Sequence, residues 1–147
     1  MDHTAFLKVK EGHFVVVKRI SGAGLVLCVV ELKQQAHLVK IWKRKKGTKY
    51  QIAFSFLRNG DYYSPKVEEK KLQLEKIADV SDHESYWFEK VDLQINEHYG
   101  LRSVVNDHYL SKLEDEKKET TVFCLSEDSQ ACAELTDELT DELTDEA

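Results

Sequence analysis

The side chains best suited to binding chemistry lie in one basic segment of the sequence. Lys40-Ile-Trp-Lys-Arg-Lys-Lys-Gly-Thr-Lys49 contains six basic residues and a tryptophan. Clustered lysines and arginines are typical of surfaces that bind nucleic acid, heparin or anionic lipid. The pattern predicts a polyanion-binding site at Lys43, Arg44, Lys45 and Lys46. The alternative is an ordinary basic hairpin loop at the end of a strand.

The distribution of charge along the chain favours that alternative. Residues 1–76 carry 16 basic and 7 acidic side chains, whereas residues 77–147 carry 5 and 20. The acidic half ends in three copies of Leu-Thr-Asp-Glu over residues 135–146. Their carboxylates would compete with phosphate for the same lysines. We therefore rank the basic hairpin ahead of the polyanion site.

Residues that commonly perform catalysis are scattered along the chain. None of the six histidines stands at metal-ligand spacing from another histidine or a cysteine. The sequence has no Gly-x-Ser-x-Gly motif and no glycine-rich loop of the length that binds phosphate. Cys28 lies in an apolar run typical of a buried thiol, and Cys124 and Cys132 could form a disulfide only in an oxidising compartment. We therefore expect that the protein is not an enzyme and that it binds no metal and no cofactor.

The elements that must position these residues are predicted to be short strands. Apolar residues recur in short runs separated by turn signals, and from Tyr50 to Phe56 they alternate with polar ones. Asn59-Gly60 is a strong hairpin turn. Roughly ten such strands predict an all-β sandwich or barrel. The predicted core comprises Val15, Leu25, Leu27, Leu38, Ile52, Phe54, Leu72, Leu74, Phe88, Leu93, Leu101, Leu110 and Phe123.

Two segments depart from the strand pattern. Residues 111–119 are rich in lysine and glutamate, and we interpret them as a solvated loop with a helical turn. Leucine recurs every four residues over 135–146, which fits one face of a helix. So acidic and repetitive a segment favours a disordered tail instead. The sequence thus predicts one domain over residues 1–134 and an acidic tail over residues 135–147.

Length and composition fit a single globular domain. The chain has 147 residues, of which 41% are hydrophobic and 33% charged. It contains no run of 18 apolar residues, so we expect no insertion into a membrane. The first residues lack the basic and apolar regions of a secretory signal. An extracellular role would therefore need an unconventional exit or cleavage from a longer precursor.

The order of several short motifs resembles the interleukin-1 family of cytokines. The sharpest motif is Leu72-Gln-Leu-Glu75, which is followed by Tyr86-Trp-Phe88, Tyr99-Gly-Leu-Arg-Ser103 and His108-Tyr-Leu-Ser111. In that family an L-Q-L-E strand similarly leads to an aromatic strand end, then to a strand closing in a small residue. A W-Y-L-S-type strand comes next.

Further motifs extend the resemblance over most of the chain. Leu25-Val-Leu-Cys28 resembles an early family strand, and Ile52-Ala-Phe-Ser-Phe-Leu57 stands where the family has its central strand. Asp61-Tyr-Tyr-Ser64 resembles the strand that precedes L-Q-L-E, and Val122-Phe-Cys-Leu125 resembles the strand that follows W-Y-L-S. The resemblance runs from about residue 14 to about residue 136.

The resemblance implies a β-trefoil, in which three four-stranded units form a six-stranded barrel beneath a hairpin cap. It implies a secreted monomer that binds an immunoglobulin-domain receptor of interleukin-1 type, recruits an accessory receptor chain, and signals in inflammation and immunity. Receptor contacts would include Asp128, Lys43 and Arg44, with Glu134 where an acid accompanies recruitment of the second chain. The alternatives are a cytoplasmic location and a trefoil that binds a polyanion, such as heparin, or a carbohydrate through the basic loop.

The sequence departs from the family pattern at two places. The family's final strand is apolar and ends in aromatic residues, whereas Leu135-Thr-Asp-Glu-Leu139 and its repeats stand there. Asp107-His-Tyr109 stands where the family has G-W-Y. If the first departure truncates the last strand, closure of the barrel is weakened and the stability of the fold is lower.

Overall fold

Short antiparallel strands make up most of the structure. It is a computed structural model and describes residues 3–22, 24–93, 97–115 and 120–139. These residues include three 3-10 turns, at Lys33–Gln35, Glu84–Tyr86 and Ser129–Ala131. No helix among them is long and apolar enough to cross a membrane. The strands are β1 (His3–Val9), β2 (Phe14–Ile20), β3 (Gly24–Val30), β4 (Val39–Lys46), β5 (Lys49–Arg58), β6 (Asp61–Glu68), β7 (Lys71–Lys76), β8 (Phe88–Asp92), β9 (Tyr99–Ser103), β10 (Tyr109–Asp115), β11 (Thr120–Ser126) and β12 (Leu135–Leu139).

Six of these strands close into a barrel. Each pairs antiparallel with the next in the order β1, β4, β5, β8, β9 and β12, and β12 pairs back onto β1. Ala5 of β1 lies opposite both Val39 of β4 and Leu139 of β12, so the first strand is held on both sides. Closing the ring in this way removes the unpaired edges that an open sheet exposes.

The other six strands form three hairpins at one end of the barrel. These are β2–β3, β6–β7 and β10–β11, and β3 meets β11 at Cys28 and Val122. Each hairpin joins two barrel strands, which gives three four-stranded units: β1–β4, β5–β8 and β9–β12. Asn59 and Gly60 turn β5 into β6 with φ of 51° and 84°, as the sequence predicted. The arrangement is a β-trefoil, so the predicted fold is confirmed.

The core fills the barrel with side chains from alternate positions of its strands. In β5, Ile52, Phe54 and Phe56 are buried, and the ring centroid of Phe54 lies 6.3 Å from that of Phe56 and 6.4 Å from that of Phe88. A smaller buried cluster around Trp87 packs on the outer face of the same strand. Because successive residues point to opposite faces, β5 is buried on both sides.

Most of the predicted core is buried. The buried members are Val15, Leu27, Ile52, Phe54, Phe88, Leu101, Leu110 and Phe123. The half-buried members are Leu25, Leu72, Leu74 and Leu93. Leu38 is 39% exposed, so its assignment to the core is wrong. Val39 and Ile41 are buried in its place, because a shift of one residue along a strand moves a side chain to the other face.

The segment predicted to be a tail supplies the last strand of the barrel. Leu135–Leu139 forms β12, and Leu135 is fully buried. A helix or a disordered tail is therefore wrong for these five residues, which close the barrel between β1 and β9. The domain continues at least to residue 139 rather than ending at 134, while residues 140–147 lie outside the described part of the chain.

Opposite charge explains how so acidic a segment enters the sheet. The Nζ atoms of Lys33 and Lys8 lie 2.8 Å and 3.3 Å from the carboxylate of Glu138, and Lys33 foremost lowers the pKa of that carboxyl. The hydroxyl of Tyr99 donates a hydrogen bond to Asp137 over 2.5 Å. Opposite charges on neighbouring strands stabilise a sheet, so the acids of β12 are matched to the surface that receives them.

The second segment interpreted as helical is also a strand where the structure describes it. Tyr109–Asp115 forms β10 and pairs with β11 over its whole length. The predicted helical turn is therefore wrong for residues 111–115. Residues 116–119 lie outside the described ranges.

His37 is expected to make the stability of the fold depend on pH. The backbone N–H of Val17 donates a hydrogen bond to Nδ1 of half-buried His37 over 3.3 Å. Burial foremost, and then the charge of Arg58, lowers the pKa of His37 below its ordinary value of 6.5. As the pH falls, His37 therefore takes up a proton at a higher pH in the unfolded chain than in the folded protein. Stability present above pH 6.5 is lost as the pH falls from 6.5 towards the lower pKa of the folded protein.

The measurement is the melting midpoint of the wild type and of His37→Asn between about pH 7.5 and pH 5.5. Asparagine retains an acceptor near the position of Nδ1 and does not titrate. We expect the midpoint of the wild type to fall more steeply than that of the variant. Parallel curves would contradict the assignment.

Candidate binding site

The basic segment is the far half of the β4–β5 hairpin rather than a loop. Lys43 lies opposite Ile52 and Lys45 opposite Tyr50, and Gly47 turns the chain with a φ of 63°. Residues two apart and residues directly opposite share one face of a strand pair. Lys43 and Lys45 therefore lie on the same face as Tyr50 and Ile52. Since β4 runs away from the hairpin cap, this face lies at the open end of the barrel.

Arg44 is held within the fold, so the prediction of an exposed Arg44 is wrong. Its guanidinium carbon lies 4.2 Å from the ring centroid of Trp87. Nε donates to Oε1 of Gln51 over 2.8 Å and Nη1 donates to the carbonyl of Asp82 over 3.0 Å. Only 13% of the side chain is exposed. Arg44 thus ties β4 to the chain before β8, and we do not include it in a binding surface.

A depression of about 520 Å³ lies between this hairpin and strands β8 and β9. Its wall contains Glu89, whose carboxylate accepts a hydrogen bond from Nη2 of Arg102 over 2.5 Å and lies 3.7 Å from Nζ of Lys49. Arg102 foremost, together with Lys49, lowers the pKa of Glu89. The carboxylate is therefore ionised near neutral pH and already paired with two cations.

The remaining lining combines lysines with an aromatic ring. Lys43 is exposed and has no ion-pair partner among the described residues. Nζ of Lys90 lies 4.3 Å from the ring centroid of Tyr99, and Nζ of Lys45 at the rim lies 5.4 Å from that of Tyr50. Tyr50 is 64% exposed. The depression thus presents surplus positive charge beside an exposed aromatic ring, which suits an anionic ligand with an apolar face.

The acidic residues predicted to contact a receptor lie elsewhere, in the connection between β11 and β12. Glu134 directly precedes β12, and its Oε2 lies 3.4 Å from Nζ of Lys10, with 23% of the side chain exposed. Asp128 is exposed and its carboxylate caps a 3-10 turn by accepting from the backbone N–H of Gln130 over 2.9 Å. This connection begins at a cap hairpin, whereas Lys43 lies towards the open end. The structure does not bring the predicted acids and lysines together.

Groups suited to covalent or metal chemistry do not gather in the described ranges. No group of three or more His, Cys, Asp and Glu residues among them could hold a metal ion. Cys28 is a buried thiol, as predicted, and Cys124 and Cys132 are half-buried thiols whose pKa values burial raises. A raised pKa disfavours the reactive thiolate.

The basic segment identified from the sequence contains two lining residues of the depression, Lys43 and Lys49, whereas the predicted Lys45 and Lys46 are exposed and are not among its lining residues. Sequence reasoning missed the other members. Tyr50 stood in the alternating strand pattern and could have been paired with Lys45 from the turn between them. Lys90 and Arg102 belong to β8 and β9, and no local signal links them to the basic segment. Barrel closure alone makes them neighbours.

Comparisons with known proteins place the chain by its fold. No protein-family model matches the sequence, and no curated protein sequence matches it at a significant level. The water-soluble chlorophyll protein of Brassica oleracea var. Botrytis with chlorophyll b matches with a TM-score of 0.69 at 13% identity, covering 95% of this chain and 91% of that one.

Two further structures match over similar lengths. A hydrophobic-cavity mutant of chicken interleukin-1 has a TM-score of 0.66 at 14% identity, covering 93% of this chain and 95% of that one. The designed three-fold symmetric protein ThreeFoil has a TM-score of 0.60 at 12% identity, covering 92% and 97%. Since one fold hosts many functions, matches at these identities establish the β-trefoil fold alone.

Proposed function

We propose that this chain is an interleukin-1-like cytokine that acts outside the cell by binding an immunoglobulin-domain receptor and then an accessory receptor chain. It is a binding protein rather than an enzyme. The observation that carries the proposal is the order of the family motifs along the trefoil. The L-Q-L-E motif lies in β7, Tyr99–Ser103 is β9, His108-Tyr-Leu-Ser111 leads into β10, and Val122-Phe-Cys-Leu125 lies in β11.

The comparison of folds gives the proposal a second line of support. Chicken interleukin-1 structures share the trefoil over 92–93% of this chain. A motif series that falls on strands of the fold it predicts, in the order of the family, is more specific than either the motifs or the fold alone. The trefoil is also shared with a chlorophyll protein, so the motifs supply the functional assignment.

Glu134 is suited to the recruitment of the accessory chain. It stands in the loop directly before the last strand, and one carboxylate oxygen lies 3.4 Å from Lys10. The side chain is 23% exposed but Oε1 is buried, so an incoming partner would donate charge-assisted hydrogen bonds to Oε2. Asp128, which is exposed in the same loop, adds a second negative charge to this surface.

The experiment measures two quantities for each variant: affinity for ectodomains of interleukin-1-type receptors, and signalling in a reporter cell that carries both receptor chains. The variants are Glu134→Lys, Glu134→Gln and Asp128→Asn, the last of which keeps the cap because asparagine also caps well. Glu127→Gln removes a more exposed charge from the same loop and serves as the matched control.

We expect both Glu134 variants to keep the affinity for the first receptor and to lose signalling, while Glu127→Gln keeps both. Equal melting midpoints exclude unfolding as the cause. Failure of the wild type to bind any such ectodomain at physiological salt would overturn the proposal. Unchanged signalling by both Glu134 variants would overturn the role of Glu134.

A further inference from the structure

We propose that the depression between the β4–β5 hairpin and strands β8 and β9 binds an acidic saccharide, a sugar that carries sulfate or carboxylate groups. Lys43 and Lys90 would hold the anionic groups and Tyr50 would pack against the sugar ring. This site is separate from the receptor surface around Glu134, so either proposal can fail without the other.

Unbalanced positive charge is the first observation that carries the inference. Lys43, Lys49, Lys90 and Arg102 line the depression, and Glu89 is the one carboxylate among its lining residues. Arg102 and Lys49 already pair with that carboxylate. Lys43 and Lys90 pair with no carboxylate among the described residues, and the ammonium group of Lys90 lies over the ring of Tyr99. An ammonium group binds sulfate or carboxylate through charge-assisted hydrogen bonds.

The aromatic ring beside the lysines is the second observation. Tyr50 is 64% exposed although it belongs to a strand whose next inward side chains, Ile52 and Phe54, are buried. Nζ of Lys45 lies 5.4 Å from its ring centroid, on the side of the hairpin. A flat apolar face beside cations matches a pyranose ring, which offers C–H groups on one face and charged substituents at its edge.

The size of the site selects a short saccharide over a long nucleic acid. About 520 Å³ falls in the range of small-molecule pockets and holds one or two sugar rings. Protein surfaces that bind nucleic acid without sequence preference use successive aromatic side chains along a basic groove. The lining of this depression has one exposed aromatic ring, that of Tyr50. The formal net charge of −6 on the whole chain also opposes a long polyanion more than a short one.

The experiment is calorimetric titration of the full chain with a sulfated disaccharide, its unsulfated counterpart and a short poly-glutamate peptide. The variants are Lys43→Gln/Lys90→Gln, Tyr50→Ala and Tyr50→Phe. Lys70→Gln/Lys71→Gln removes the same charge from exposed positions at the β6–β7 turn and serves as the control. All five proteins are first compared by melting midpoint.

We expect the wild type to bind the sulfated disaccharide and not the unsulfated one. The site double variant and Tyr50→Ala should each weaken binding about tenfold or more, as loss of charge-assisted or aromatic contacts does. Tyr50→Phe and the control should bind as the wild type does. No binding of the sulfated sugar, equal loss in the control, or equal binding of the peptide would overturn the proposal.

Discussion

Leu135→Ala is expected to lower the free energy of unfolding by about 2–5 kcal/mol. Leu135 is fully buried and lies opposite Val9 of β1 and Tyr99 of β9. Truncating it leaves a cavity where the last barrel strand joins both of its neighbours. Denaturant unfolding followed by tryptophan fluorescence measures the loss.

Leu139→Ala is the matched control for that substitution. Leu139 occupies the same position in the next copy of the repeat but is 57% exposed, so its truncation should change stability by no more than about 0.5 kcal/mol. A slide of the second copy into the place of the first is opposed by the hydrogen bond that the backbone N–H of Ala133 donates to the carbonyl of Leu110 over 2.8 Å. Equal losses in the two variants would contradict the register of β12.

Phe54→Ala is expected to cost about 3–5 kcal/mol. Its ring is buried between Phe56 and Phe88 at the centre of the barrel. Tyr50→Ala, on the same face of the same strand but mostly exposed, should cost no more than about 0.5 kcal/mol. A loss for Phe54→Ala no larger than that of Tyr50→Ala would show that the Phe54 ring is not tightly packed.

The fold was largely predictable where a strand alternates clearly and a turn has one favoured geometry. The pattern of Ile52, Phe54 and the Asn59-Gly60 turn determined β5 and the hairpin after it. The pattern failed for β12, because leucines four residues apart share a face in a helix and also in a strand. This segment is a strand because it pairs with β1 and its acids meet Lys8 of β1 and Lys33 of the neighbouring 3-10 turn. Those contacts are not visible in the segment itself.

The candidate site was less predictable than the fold, because its residues come from three separate parts of the chain. The basic segment supplied Lys43, and charge alone also suggested Arg44. Whether a cation in a strand is exposed depends on which face it occupies, and Arg44 faces Trp87 while Lys43 faces the depression. Lys90 joins the site only through pairing between β8, β9 and β5.

The identity of the three repeats has a consequence for how the gene can change in length. Loss of any one copy, or gain of another, leaves Leu-Thr-Asp-Glu-Leu directly after Glu134, because every copy is the same. The next copy then provides the same side chains that Leu135, Asp137 and Glu138 contribute to the barrel. Tandem coding repeats commonly expand and contract during replication, and here such events would alter the acidic segment while leaving the last barrel strand unchanged.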